Sequence, residues 1–154
     1  MSTDKKEYGI SVIIPCYNVG QYVEETLKSV LNQSFKNYEI ICLNDGSTDE
    51  TGKIADDLSL QFKQINVIHQ SNGGASKARN TGMKEVVGDY ILFLDGDDFW
   101  SDIYFLDQVA SELNKQLVDV VIFGYSYYYD NEIKEIPVSR LNDLIEATNF
   151  GLFN

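Results

Sequence analysis

The stretch Tyr90-Ile-Leu-Phe-Leu-Asp-Gly-Asp-Asp-Phe-Trp100 decides how this chain is read. Ile91, Leu92, Phe93 and Leu94 form a short apolar run without alternation, the pattern of a strand buried on both faces. The run ends in three carboxylates within four residues: Asp95, Asp97 and Asp98. Crowded in this way they raise one another's pKa unless a cation sits among them. Hard oxygen ligands in a tight turn suit Mg²⁺ or Mn²⁺, which takes one or two carboxylates and completes its shell with water and substrate phosphates. The small Gly96 is expected to let the backbone bend so that Asp95 and Asp97 face one point. The competing reading is an acidic turn that merely faces water, since Asp-Gly is also a turn signal. A calcium-binding EF-hand is rejected, because Trp100 and Leu106 stand where its turn glycine and twelfth-position Glu belong.

Upstream of this stretch, apolar runs alternate with helical patterns. Residues 10–15 read as a first strand stopped by Pro15, followed by a turn through Tyr17 and Asn18. Residues 22–32 carry Val23, Leu27, Val30 and Leu31 at three-four spacing, a helix with one apolar face. A second strand, residues 38–43, breaks at Asn44-Asp45-Gly46, and Ser47 with Glu50 reads as a capping box for the next helix. Residues 65–69 give a third strand, and the loop Ser71-Asn72-Gly73-Gly74 leads into a helix over 75–87 closed by Gly88. After the fourth strand, residues 90–94, a helix over 103–117 buries Leu106, Val109, Ala110 and Leu113. A fifth strand over 118–129, a weaker one over 133–138 and a short helix over 141–147 complete the reading. Strands alternating with helices of this length predict an α/β fold, a doubly wound, mostly parallel sheet with helices on both faces. In such sheets ligands bind beyond the carboxyl ends of the strands. The Pro15–Tyr17 turn, Asp45, and Asp95 with Asp97 all lie there, so three distant pieces of sequence are expected to build one cleft.

Composition narrows the field. A chain of 154 residues that is 44% hydrophobic is large enough for one domain, residues 1–154, with its own core. The formal net charge of −12 argues against nucleic acid, because a polyanion is repelled overall. Cys16 and Cys42 sit at strand ends without metal-ligand spacing and read as reduced packing residues. The apolar run near the N-terminus is too short for a signal peptide, and no segment reaches the length of a membrane span. The expectation is a cytoplasmic protein.

Several nucleotide and catalytic motifs are absent. No Gly-x-Gly-x-x-Gly follows the first strand, where Pro15-Cys16-Tyr17-Asn18 stands instead. The segment from Gly46 to Gly52-Lys53 is one residue too long for a phosphate loop, with Ile54 in place of its Ser or Thr. No Gly-x-Ser-x-Gly elbow is present, and the single histidine, His69, reads as a strand-end residue rather than a general base.

Four segments in order carry a resemblance. Ser11-Val-Ile-Ile-Pro-Cys-Tyr-Asn18, Asn44-Asp-Gly-Ser-Thr-Asp49, Asn72-Gly-Gly-Ala-Ser-Lys-Ala-Arg-Asn-Thr-Gly82 and Leu94-Asp-Gly-Asp-Asp98 together strongly resemble glycosyltransferase family 2. The resemblance implies a GT-A nucleotide-diphospho-sugar transferase fold and an inverting transfer from a UDP-sugar, with Mn²⁺ or Mg²⁺, to a saccharide or lipid-linked acceptor. Carried onto this sequence, Tyr17 resembles the aromatic beside the nucleotide base, next to Pro15, and Asp45 the acid that accepts a hydrogen bond from it. Arg79, with Lys77, resembles the basic group near the ribose-diphosphate. Asp95 and Asp97, flanking Gly96, resemble the Asp-x-Asp pair, with Asp97 the direct metal ligand. Bacterial surface polysaccharide synthesis and a peripheral membrane association of the full-length protein are further implications of the family alone.

Two departures stand out. Asn44 replaces an Asp common at that position, and the chain stops at Asn154, short of the segment that supplies the family's acceptor site and general base. Glu132, Glu135, Asp143 and Glu146 fall in no recognisable motif and read as surface charges, so no base is assigned. The expectation is therefore the nucleotide-sugar-binding part of a longer enzyme. The alternatives are a binding remnant without transfer and a sugar-nucleotide nucleotidyltransferase, though the latter's Gly- and Arg-rich signature is missing after the first strand. Tyr125, Tyr127, Tyr128, Tyr129, Phe150, Leu152 and Phe153 leave little sequence to cover them, which predicts self-association into a homo-oligomer.

Overall fold

The computed structural model describes residues 9–115, 126–129 and 132–135. By contact the chain divides into two compact units, Met1–Leu117 and Val118–Asn154. The first contains β1 (Ile10–Cys16), α1 (Val23–Leu31), β2 (Tyr38–Asn44), α2 (Thr51–Gln61), β3 (Ile65–His69), α3 (Ala75–Gly82), β4 (Tyr90–Phe93) and α4 (Phe105–Lys115). In the second, β5 (Ser126–Tyr129) pairs antiparallel with β6 (Glu132–Glu135), Ser126 opposite Glu135 and Tyr129 opposite Glu132. The expected helix over 141–147, the residues expected to extend the fifth strand back to 118, and the aromatic tail lie outside the described residues.

The first unit is an α/β fold whose four parallel strands lie in the order β3-β2-β1-β4. Its core is the apolar run of β1 against that of β2: Val12, Ile13, Ile14, Ile40, Ile41, Cys42 and Leu43 are fully buried. Right-handed crossovers place α1 and α2 on one face as the chain steps from β1 to β2 to β3. The return from β3 to β4 reverses direction and puts α3 on the other face, where a Cβ on Gly82 would lie 2.7 Å from the Ile13 side chain. The strand order therefore reverses between β1 and β4, the switch point at which sheets of this kind bind ligands.

Pro15 does not stop β1, as the sequence reading had it. It pairs with Leu43, and the strand continues to Cys16. The peptide groups of odd-numbered residues in β1 face β4, since the amide of Leu94 donates to the carbonyl of Ile13 at 3.1 Å. Two residues on, β4 has already left the sheet, so the N–H that proline lacks has no partner to lose. β4 also departs from expectation. Leu92 is buried, but Ile91 and Phe93 are 37% and 41% exposed. Register pairs Phe93 with Ile13, so this open side belongs to the face that carries α3. A continuous apolar run cannot reveal that a strand is an edge with one face uncovered among the described residues.

Two helix boundaries are corrected. α3 ends at Gly82 instead of 87. Beyond it the amides of Lys84 and Glu85 bond three residues back, those of Val87 and Gly88 to the side chains of Glu39 and Ser11, and Val87 points to solvent. Gly88 is required for its close approach to Ser11, 2.8 Å from a would-be Cβ, and not as a helix cap. The capping box at α2 is absent as well: no side chain caps at Glu50, and the amide of Thr51 is met at 3.0 Å by Asp49.

Candidate nucleotide-binding site

The carboxyl ends of β1, β2 and β4 meet at the switch point. Gly96 is buried against the end of β1, where a Cβ would lie 2.8 Å from Cys16 Sγ and 3.0 Å from the Pro15 carbonyl oxygen. Its role is room rather than bending, since the left-handed glycines among the described residues are Gly46 and Gly74. This close approach sets Asp95 and Asp97, both exposed, beside the Pro15–Tyr17 turn. The Gly96 carbonyl is in turn held at 2.9 Å by the buried hydroxyl of Thr26 on α1. Tyr17 stands half exposed at the tip of β1, and Pro15 is half-buried beneath it.

The turn after Tyr17 is pinned to the turn after β2. Asn18 takes a left-handed backbone, φ 52°, which asparagine tolerates better than most side chains. Its amide donates to Ser47 Oγ at 3.0 Å, and its side-chain oxygen accepts from the amide of Thr48 at 2.8 Å. Gly20 donates to Asp49 at 2.9 Å, and Val19 to the Thr51 hydroxyl at 2.9 Å. The Thr51 hydroxyl bonded to Asp49, with further amides from Thr51 and Gly20, holds that carboxyl below its ordinary pKa. These serine, threonine and asparagine contacts are what the capping-box reading missed.

Asp45 is only 2% exposed. Its oxygens accept from Gln70 Nε2 at 2.6 Å, from the amide of Gly73 at 2.9 and 3.1 Å, and from that of Gly74 at 2.7 Å. Burial pushes its pKa up, but these donors and the nearby Lys77 charge outweigh it and hold the carboxyl below its usual value. Each carboxylate oxygen thus accepts two hydrogen bonds, the Gly73 amide being shared between them, so a further donor would take the place of one already present. Gln70 is oriented from behind by the Thr81 hydroxyl, 2.8 Å from its oxygen. Gln70 escaped the sequence reading because it belongs to no recognisable local signal, and Thr81, though inside the segment ending at Gly82, carries no local mark of this partner. Asn44 donates to His69 Nδ1 at 3.0 Å and accepts from the amide of Ser47 at 3.0 Å. His69 Nε2 lies 3.0 Å from Asp56, so both ring nitrogens are engaged by neighbouring side chains.

Of the basic residues, Arg79 on α3 forms an ion pair with Asp95. Lys77, read beside it, instead folds over Gly73, near Asp45. Burial, with Asp97 and Asp95 close by, raises the pKa of Asp98. Among the described residues no three acidic, histidine or cysteine side chains are arranged to enclose a metal. An ion that takes one or two carboxylates and shares the rest of its shell with water and phosphates fits Asp95 and Asp97; a fully caged ion does not. Cys16 and Cys42 are free and buried, their sulfurs 3.8 Å apart. No helix among the described residues is long and apolar enough to cross a membrane.

An open parallel sheet with an aromatic, a buried acid and a carboxylate pair at its switch point defines an α/β domain of the GT-A class. The chain belongs to glycosyltransferase family 2, matching the family model for Glycosyl transferase family 2 over residues 11–152. It is 44% identical over 116 residues to an uncharacterized glycosyltransferase, EpsJ, of Bacillus subtilis, covering 75% of this chain and 33% of that protein. It is 39% identical over 122 residues to glycosyltransferase GlyG of Streptococcus pneumoniae, covering 79% of this chain and 40% of that one. The chain thus spans between a third and two-fifths of the length of these relatives. In structure it is similar to S. aureus TarS in complex with UDP, with a TM-score of 0.65 at 23% identity over 88% of this chain and 49% of that chain. The mannosyltransferase PcManGT of Pyrobaculum calidifontis, in complex with GDP-Man and Mn²⁺, gives a TM-score of 0.65 at 21% identity over 77% of this chain and 35% of that one.

Proposed function

We propose that this chain is the donor-binding part of an inverting glycosyltransferase that takes a UDP-sugar with Mn²⁺ or Mg²⁺ and glycosylates a saccharide or lipid-linked acceptor in polysaccharide synthesis. The observation that carries the reading is the convergence of Tyr17, Asp45 and the Asp95–Asp97 turn on one rim, where Gly96 packs against Pro15 and Cys16 and the Asp45 amide donates to the Cys16 carbonyl at 2.8 Å. Tyr17 offers an exposed ring to a nucleobase, and Asp45, an acceptor-only carboxylate at the end of β2, suits a ring N–H such as that of uracil, which would take the place of one of its present donors. A divalent cation at Asp95 and Asp97 would supply stabilisation of the charge that grows on the departing diphosphate. That relatives of this fold are described in complex with UDP, and with GDP-Man and Mn²⁺, supports a nucleotide-sugar donor.

Calorimetric titration of the chain with UDP, in Mn²⁺ and in EDTA, tests the reading. Binding that requires the metal supports it; no binding under either condition overturns it. Product formation from UDP-sugars with saccharide acceptors then tests transfer.

A further inference from the structure

We propose that Arg79 is a resident counter-ion of Asp95 that changes partners during donor binding. In the free protein it holds the carboxylate; when a cation and a nucleoside diphosphate arrive together, it yields Asp95 to the cation and turns to the diphosphate. The inference rests on the metal-and-nucleotide reading above.

Three observations carry it. First, the guanidinium already occupies Asp95, while Asp97 makes no ion pair among the described residues. A metal that arrives alone must therefore displace Arg79 from one of its two carboxylates. Second, both roots are fixed and both heads are free. Ala78 is fully buried and Gly82 abuts Ile13, which seats α3 against the sheet, and Asp95 is anchored by buried Gly96 and by the amide of Asp98 bonded to its carbonyl at 3.0 Å. The paired side chains remain 32% and 51% exposed, so the exchange needs only side-chain rotation. Third, the charges allow the exchange. A divalent cation meets two of the three carboxylate charges of Asp95, Asp97 and Asp98, and a nucleoside diphosphate brings new negative charge for the guanidinium. The group so released is a planar, two-pronged donor whose geometry suits phosphate oxygens.

The test is Mn²⁺ titration of the nucleotide-free chain, followed by the electron paramagnetic resonance signal of the free ion. Arg79→Met should bind Mn²⁺ about two- to fivefold more tightly, the range an exposed ion pair can withhold. Arg79→Lys, which keeps the charge, should match the unmutated chain. In an Asp95→Asn background, Arg79→Met should bring no gain. UDP with saturating Mn²⁺ should bind Arg79→Met about tenfold or more weakly, the loss of one charge-assisted contact. An Mn²⁺ affinity that Arg79→Met leaves unchanged or lowers would overturn the counter-ion role, as would a gain that survives Asp95→Asn. Failure of the unmutated chain to bind UDP at all would overturn the functional reading instead, and the metal titration distinguishes the two.

Discussion

Replacing Asp45 by Asn should cost the protein stability in a manner that depends on pH. The change is nearly isosteric, but it turns one acceptor oxygen into an amide that donates. Gln70, Gly73 and Gly74 all present N–H groups to this site, at 2.6 to 3.1 Å, so at least one donor must face another donor. A hydrogen bond to a charged group contributes ~1.5–3 kcal/mol. The site is buried, so water cannot step in to replace it. We expect a loss of roughly 2–3 kcal/mol, or about 4–12 °C in melting temperature for a chain of this size. The carboxyl pKa is lowered from 3.8 in the native state. Its stabilising contribution is therefore fully present above the unfolded value and is lost as pH falls through the lower native value. Thermal unfolding followed by circular dichroism should show the gap between the two proteins constant from pH 7 to about 5 and closing in strong acid. A melting temperature within 2 °C of the unmutated protein at pH 7 would refute the account, because the loop would then be held by something other than Asp45.

Other outcomes follow from the same contacts. UDP should raise the melting temperature in Mn²⁺ but not in EDTA, by ~2.7 kcal/mol of stability at a hundred times the dissociation constant; equal shifts in both buffers would count against the metal. Gly96→Ala places a methyl 3.0 Å from the Pro15 carbonyl, which is backbone and cannot rotate away. Overpacking of this kind costs ~1–3 kcal/mol, and UDP affinity should fall with it; calorimetry and melting on one preparation check both. UDP should bind more tightly than CDP, because a carboxylate accepts from the uracil imide while cytosine presents an acceptor there; equal affinities would refute the assignment of Asp45 to the base.

The strands were legible because burial on both faces writes continuous apolar runs, and β1, β2 and β3 begin and end within a residue or so of where those runs do. The same signal misled at β4, whose Ile91 and Phe93 are apolar yet exposed, since hydrophobicity reports what a residue prefers and not what lies over it. The end of α3 was missed because Val86 and Val87 extend an apolar period, while the decision is made by Gly82 against Ile13 and by Glu39 and Ser11 receiving the next turn's amides. At the site, motif spacing marked Tyr17, Asp45, Arg79, Asp95 and Asp97, and the fold brings the β1, β2 and β4 ends to one rim. Partners set by tertiary contact were out of reach: Gln70 meets Asp45 across 25 positions, and Arg79 meets Asp95 across 16.

The buried polar side chains explain how an apolar sheet can hold such a rim in place. Among the described residues these are Ser11, Thr26, Gln33, Asn44, Asp45 and Thr51, and no buried side-chain nitrogen or oxygen lacks a partner. Apart from Ser11 and Gln33, which serve the opposite end of the sheet, each one ties down a loop at the carboxyl edge. Thr26 holds the Gly96 carbonyl, Thr51 the amide of Val19, Asn44 that of Ser47, and Asp45 those of Gly73 and Gly74. Gln33 spans the carbonyl of Asp102 and the amide of Leu106, fixing the entry to α4. Hydrophobic burial is non-directional, so it can hold the sheet together but cannot aim a loop. A buried hydrogen bond is directional and costly to leave unmade, so it can. The polar groups in the core are therefore best understood as the supports of the site. A substitution such as Thr26→Val, 70 residues in sequence from Gly96, should weaken nucleotide binding through the position of Asp95 and Asp97 rather than through any contact with the ligand.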